Sequence, residues 1–292
     1  MRALVFGETG QVARELARAA EERGIEALFL GRDGADLADP EACARAVRAA
    51  DAEVVINAAA YTAVDKAEDE LDLAMTVNGA APGAMAAAAA ARGLPFLHVS
   101  TDYVLDGSDP GRPWREDDPT GPLGAYGATK LAGERAVIAA TPDHAILRTA
   151  WVFSAHGRNF VKTMLAVGRC KPELRVVGDQ RGSPTAARDI AAALWTVAQA
   201  WTAGRGVPGV FHYAGAPETS WAGFAEAIFA AAGWPKRPRV TAIATADWPT
   251  RALRPAWSVL DCTAIVRAYG IAQPDWRPAL AEVVADLAEV KA

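Results

Sequence analysis

The 292 residues are 51% hydrophobic and 22% charged, with a formal net charge of -5, which excludes a disordered chain and a general electrostatic grip on nucleic acid. No apolar run reaches the roughly 20 residues of a membrane-spanning helix, and Met1-Arg-Ala-Leu-Val-Phe goes straight into a strand pattern, so neither a membrane partner nor a signal peptide is expected. The three cysteines, Cys43, Cys170 and Cys262, are far apart and form no metal or disulfide spacing, and the expected setting is a reducing cytoplasm.

Arg2–Gly7 reads as a short apolar strand followed at once by Gly7-Glu-Thr-Gly10-Gln-Val-Ala13, after which Leu16 and Ala20 continue a helical face as far as Gly24. Strand, glycine turn and helix together make a dinucleotide loop. Gly7 permits the tight turn, Gly10 lets the backbone approach a pyrophosphate, and Ala13 packs helix against strand. The free N–H groups at the helix start then bind phosphate. A second strand, residues 26–31, ends at Arg32-Asp33, where such folds choose their cofactor. An acid binds the ribose 2′-OH of NAD and a base binds the 2′-phosphate of NADP. Arg32 comes first, which points to NADPH, while Asp33 leaves NADH open.

Asp36-Leu-Ala-Asp-Pro-Glu starts the next helix with an Asp cap and an early proline. Residues 53–60 read as a third strand ending in small residues, which would let a flat cofactor lie close. Residues 78–93 read as an alanine-dense helix stopped by Gly93. Alternation at this pace means an α/β chain with a parallel, doubly wound sheet. The four histidines are single and read as structural residues.

The central stretch runs from Pro95 to Arg135. A buried-strand pattern over 95–104 ends in Ser100-Thr101-Asp102, a Gly-, Pro- and charge-rich segment over 106–122 reads as a long functional loop, and Tyr126-Gly-Ala-Thr-Lys130 leads into a helix. Tyr and Lys four apart share one helix face. A phenol with a reference pKa of about 10 is a poor acid–base group at neutral pH, and an ammonium beside it stabilises the phenolate. A hydroxyl from Thr101 or Ser100 would complete a set around a substrate carbonyl. Residues 145–153 read as a further strand, followed by Asn159 as a candidate amide donor to a diphosphate. Seven of the nine tryptophans lie after residue 190 and read mostly as core. Trp151 follows a strand beside the Tyr-Lys helix and is expected to touch substrate.

The ordered segments 6–12, 57–68, 100–104, 126–134, 147–153, 159–165, 178–185, 254–260 and 274–276 resemble the extended short-chain dehydrogenase/reductases and, within them, the dTDP-4-dehydrorhamnose reductase family. The resemblance implies a Rossmann-type, doubly wound parallel sheet with a smaller C-terminal substrate-binding domain. It implies an NADP(H)-binding part over 1–150, to which 179–214 returns, and a mainly sugar-nucleotide-binding part over 151–292. It places hydride transfer on Thr101, Tyr126 and Lys130, with Lys130 lowering the phenol pKa and holding the cofactor ribose. Substrate contacts fall on Thr101, Asp102 and Trp151. Cofactor contacts fall on Gly10, Gln11 and Val12, on Asp36 and Leu37, and on Ala60, Tyr61 and Thr62. The implied reaction is reduction of the C4 ketone of a dTDP-sugar with NADPH, in the cytoplasm, by a monomer or homodimer.

Two positions depart from the family pattern. Gly31-Arg32 stands where an acid is frequent. Some members bind Mg2+ through a carboxylate cluster that Glu15 could join, but Arg188 follows Pro184-Thr-Ala-Ala in place of an acid, so no metal is expected. Two rivals share the pattern. Sugar-nucleotide dehydratases follow the strand-end Thr-Asp with Glu, and here Tyr103 stands instead. Regulatory subunits of methionine adenosyltransferase bind the cofactor without this reduction, and the intact Thr101, Tyr126 and Lys130 favour the enzyme.

Overall fold

The computed structural model describes residues 1–289; residues 290–292, the end of the expected C-terminal part, lie outside the described residues. The first half runs β1 (Arg2–Phe6), α1 (Gln11–Arg23), β2 (Glu26–Leu30), α2 (Pro40–Ala49), β3 (Val54–Asn57), α3 (Leu71–Met75), α4 (Ala81–Ala90), β4 (Phe96–Thr101), α5 (Ala125–Ala140) and β5 (His144–Thr149). Then come β6 (Val152–Phe153), α6 (Phe160–Gly168), β7 (Glu173–Val177), β8 (Arg181–Gly182), β9 (Thr185–Ala186), α7 (Ala187–Thr202) and β10 (Gly209–His212). Last are β11 (Thr219–Ser220), α8 (Trp221–Ala231), β12 (Arg239–Ile243), α9 (Thr263–Tyr269) and α10 (Trp276–Glu289).

Six strands form one wholly parallel sheet in the order β2-β1-β3-β4-β5-β10. Near-continuous apolar runs such as Leu4-Val-Phe6 and Val54-Val-Ile56 suit strands covered on both faces. On one face, Val12 and Leu16 of α1 and Ile190, Leu194 and Trp195 of α7 join the core. On the other, Cys43 and Val47 of α2 pack with Met85 and Ala89 of α4. A third apolar cluster joins α6, α8 and α10 to β7, which pairs with β12 away from the main sheet. The strand order turns between β1 and β3, so the carboxyl ends of those strands open a crevice, the place where such sheets bind ligands.

Three elements differ from the expectation. The alanine-dense helix begins earlier, at Leu71, and passes through a π-turn over Thr76–Ala80 before α4. The segment 95–104 stays in the sheet only to Thr101, whose hydroxyl accepts the Tyr103 N–H and turns the chain into a 3-10 turn over Asp102–Val104. The strand expected over 145–153 breaks at Trp151, which takes a left-handed φ of 46° and sends Val152-Phe153 to pair with β9 instead. That bend carries the indole out of the sheet.

Candidate active site

The glycine loop connects β1 to α1 at the crevice. Gly7 has φ 119°, and a Cβ there would stand 3.2 Å from that of Ala13, so the turn requires glycine and the small residue at 13 fits beneath it. A Cβ on Gly10 would meet nothing within 4 Å, and the N-terminus of α1 has no side-chain cap and no acid in its first turn. Backbone N–H groups facing open space at a positive helix end are the donor set a pyrophosphate needs, and the fit for a dinucleotide is good. Gln11 points the other way: its Oε1 accepts from Ser154 Oγ and from Asn159 Nδ2, each at 2.9 Å.

Around the loop, Asp36 turns its carboxylate to the Ala38 N–H, Leu37 is buried, and Asp39 rather than Asp36 caps α2. Arg32 and Asp33 are both exposed beyond β2, and Arg32 has no ion pair among the described residues. One charge was not visible as a neighbour in the sequence. The carboxylate of Glu8 lies where a Cβ on Gly31 would sit, so an acid does reach the end of β2, from the glycine loop. After β3, Ala60-Tyr61-Thr62 borders the crevice and is held by buried Asn78 of the π-turn. Asn78 Oδ1 accepts the Tyr61 N–H at 2.8 Å, and its Nδ2 donates to Tyr61 O and to Thr129 Oγ1.

The proton-transfer residues meet at the end of β4. Gly127 lets α5 come this close, because a Cβ there would fall 2.1 Å from Tyr103 O. Tyr126 packs edge-on against Tyr103 with centroids 5.5 Å apart. Burial pushes its phenol up to about 12, with the Thr101 hydroxyl pulling back and Asp102 adding to the rise. Lys130, 1% exposed, donates to Val99 O at 2.7 Å and lies 3.2 Å from His98 Nε2. Burial lowers it to about 8, against the pull of Glu134. Burial thus outweighs the Thr101 hydrogen bond, and the Tyr126 phenol carries its proton at neutral pH.

Asp102 is 2% exposed and accepts the Thr101 hydroxyl at Oδ1, 2.9 Å away. Burial raises its pKa to about 6, offset by Thr101 and Ser258, and its Oδ2 is buried without a hydrogen-bond partner among the described residues. Trp151 stacks on Trp221 with centroids 3.6 Å apart and planes 11° apart, and its indole covers Gly182 beside Ser258. Trp151 and Asp102 therefore reach the same neighbourhood from two strands. Asn159 does not supply a free donor. Its Oδ1 caps α6 through the Lys162 N–H, and its amide hydrogens are shared among Gln11 Oε1, Ser154 O and His156 O.

The acid positions that could have held a metal are engaged in ion pairs. Arg188 pairs with Glu282 and, at 3.7 Å, with Asp189, while Glu15 pairs with Arg18 at 2.9 Å and faces His156 at 3.6 Å.

Residues 1–289 match the family model described as the RmlD substrate binding domain. The chain is 46% identical to the dTDP-4-dehydrorhamnose reductase of Burkholderia thailandensis over 98% of this chain and 99% of the relative. It superposes on the crystal structure of a Clostridium acetobutylicum dTDP-4-dehydrorhamnose reductase with a TM-score of 0.91 and 36% identity, covering 99% of this chain and 100% of that one. A Bacillus anthracis dTDP-4-dehydrorhamnose reductase in complex with NADP gives 0.90 and 29%, with 98% and 99% covered. With a family model matched over nearly its whole length and relatives of this identity, the chain belongs to the RmlD family of dTDP-4-dehydrorhamnose reductases.

Proposed function

We propose that the chain reduces the C4 ketone of dTDP-4-dehydro-L-rhamnose to dTDP-L-rhamnose with NADPH. The observation that carries this is the meeting of Thr101, Tyr126 and Lys130 at the end of β4. The nucleotide would lie with its pyrophosphate at Gly10-Gln11-Val12, its adenosine toward Arg32, Asp36 and Leu37, and its nicotinamide side along Ala60-Tyr61-Thr62. Bound there, the dihydronicotinamide supplies a hydride. Thr101 hydrogen-bonds the ketone oxygen and fixes its direction. Tyr126 gives its proton to the developing alkoxide, so no free alkoxide forms in a buried site. Lys130, one turn along, stabilises the phenolate left behind and holds the cofactor ribose. Asp102 and Trp151 stand at the sugar end of the site, Asp102 for a hydroxyl and Trp151 for the apolar side of the ring.

In this reading residues 1–150 with 179–214 hold NADP(H), and the rest of 151–292 mainly holds the sugar nucleotide. α7 lies on α1, and β10 extends the sheet from β5, which supports that division. Among the described residues no helix is long and apolar enough to cross a membrane. The reading places the reaction in the cytoplasm, on a monomer or homodimer, without a nucleic-acid or membrane partner. Incubation with NADPH deuterated at the nicotinamide C4 tests the chemistry. Deuterium should arrive at the hexose C4, and an unlabelled or dehydrated product overturns the assignment.

Two further outcomes follow from the outer parts of the site. Arg32 is free to meet a 2′-phosphate, whereas Glu8 at Gly31 repels one. Arg32→Ala should therefore weaken NADPH by about ten- to a hundredfold while leaving NADH nearly unchanged, as read by titration of cofactor fluorescence. Equal dissociation constants in the unsubstituted protein would remove Arg32 from the site. For Trp151→Ala, kcat/KM for the sugar nucleotide should fall about tenfold with NADPH affinity retained. Loss of both affinities would make the Trp151–Trp221 stack a packing element only.

A further inference from the structure

The helix that carries Tyr126 starts without a cap of its own. Gly124 at the head of α5 has no side chain to offer, and no acid stands in the first turn. A helix start leaves N–H groups without intrahelical partners, and they need acceptors from elsewhere. The Ala128 N–H already reaches Gly124 O at 3.0 Å. The Ala125 N–H, one residue before Tyr126, donates to Glu68 Oε1 at 2.8 Å, across 57 positions of sequence. That carboxylate also meets the positive end of a 16-residue helix. A Cβ on Gly124 would stand 2.5 Å from the same oxygen and push it away, so the glycine leaves room for the bond.

Glu68 is itself held from both flanks. It ends a 3-10 turn over Lys66–Glu68 whose middle residue, Ala67, is fully buried. On one flank, Asp65 accepts two bonds from the Arg254 guanidinium, at 2.7 and 3.0 Å, and the Ala252 N–H at 3.0 Å. On the other, Asp69 pairs with Arg251, and Glu70 accepts from the Tyr61 hydroxyl. Tyr61 borders the crevice. Residues 251–254 lead to Ser258, which stands with the Trp151 indole over Gly182. The turn thus takes its place from the cofactor side and the sugar side together, and it meets α5 through one hydrogen bond.

We propose that Glu68 is a positioning residue for Tyr126: its bond to the Ala125 N–H sets where α5 begins and so holds the phenol in line with Thr101. The reach of the side chain is what counts, since the acceptor must span from the 3-10 turn to the first N–H of the helix. Proton transfer needs hydrogen-bond distance between the phenol and the substrate oxygen, and a small displacement of α5 costs turnover steeply. That effect on turnover rests on the reductase reading; the placement of the ring does not.

The test compares three variants of the full chain. Glu68→Ala removes the acceptor, Glu68→Asp keeps the charge but falls short by one methylene, and Glu68→Gln keeps an acceptor oxygen at the same reach without the charge. With the rings of the five tyrosines labelled for NMR, the Tyr126 signal is assigned by its loss in Tyr126→Phe. Glu68→Ala and Glu68→Asp should shift that signal and lose its cross-peak to the Tyr103 ring, which lies 5.5 Å away between centroids. Glu68→Gln should keep both. In turnover, Glu68→Ala and Glu68→Asp should lower kcat by about tenfold or more with KM and NADPH affinity nearly unchanged, and Glu68→Gln should recover most of the rate. If Glu68→Ala does not fold, the comparison of Glu68→Asp with Glu68→Gln decides alone. A Tyr126 signal that stays in place in Glu68→Ala or Glu68→Asp overturns the positioning role. So does a rate that Glu68→Asp keeps and Glu68→Gln loses, because charge at the helix end would then be the whole effect. Absence of turnover in the unsubstituted protein would count against the reductase reading alone, and the ring signals would still decide for Glu68.

Discussion

Tyr126→Phe is expected to lower kcat by about 10²-fold or more, the usual contribution of a positioned general acid. The phenyl ring keeps its edge-on contact with Tyr103, 5.5 Å between centroids, and its place on α5, so NADPH affinity and thermal stability should change little. The sign of the pH effect follows from burial. The phenol lies up at about 12, so the unsubstituted enzyme keeps its acid through neutral pH and loses it only as the medium becomes strongly alkaline. A Phe variant that retains most of its turnover would show that the alkoxide takes its proton elsewhere, and the regulatory, non-reducing relatives would become the better comparison.

The second large effect is on stability rather than chemistry. Glu134 and Arg148 form a two-bond ion pair, 2.7 and 2.9 Å, with side chains 2% and 4% exposed. Ser100 donates to the same carboxylate at 2.5 Å, and Arg148 Nη1 lies 3.4 Å from His212 Nε2. His212 serves as an acceptor there, because burial and the Arg148 charge lower it to about 3 and its Nδ1 bonds Trp114 O. The pair thus ties α5, β4, β5 and β10 together behind the proton-transfer residues. Glu134→Ala leaves a guanidinium buried without its counter-charge, and chemical denaturation should report a loss of about 3–5 kcal/mol. Replacing both partners, Glu134→Leu with Arg148→Met, should cost much less, since no unpaired charge remains. Equal losses in the single and double variants would mean that shape, not charge, is what the site requires.

What the sequence made legible follows from the range of the interactions. Tyr126 and Lys130 are one helical turn apart, Thr101 ends the strand before them, and Gly7 and Gly10 sit between a strand and a helix, so local periodicity and turn chemistry suffice to find them. The sheet was equally readable, because strands buried on both faces are unbroken apolar runs. The residues that brace the site were not. Asn57, His98 and Asn78 act on partners 17 to 51 positions away, and no local pattern marks such a pair. Asn159 looked like a ligand donor because an exposed-loop amide before a helix has two roles, and only the coordinates of Gln11 and Ser154 show that it serves as a cap. The start of the alanine-rich helix at Leu71 was hidden for another reason: alanine favours helix everywhere and marks no boundary. The break at Trp151 was hidden as well, since a left-handed φ at a bulky residue is imposed by its surroundings, here the stack on Trp221.

The central claim is that this chain turns over, rather than merely binds, its nucleotide and sugar. Purified protein mixed with NADPH and dTDP-4-dehydro-L-rhamnose should consume the two in equal amounts and release dTDP-L-rhamnose, with multiple turnovers per chain. Tight NADPH binding with no consumption in the presence of that sugar nucleotide would contradict the account.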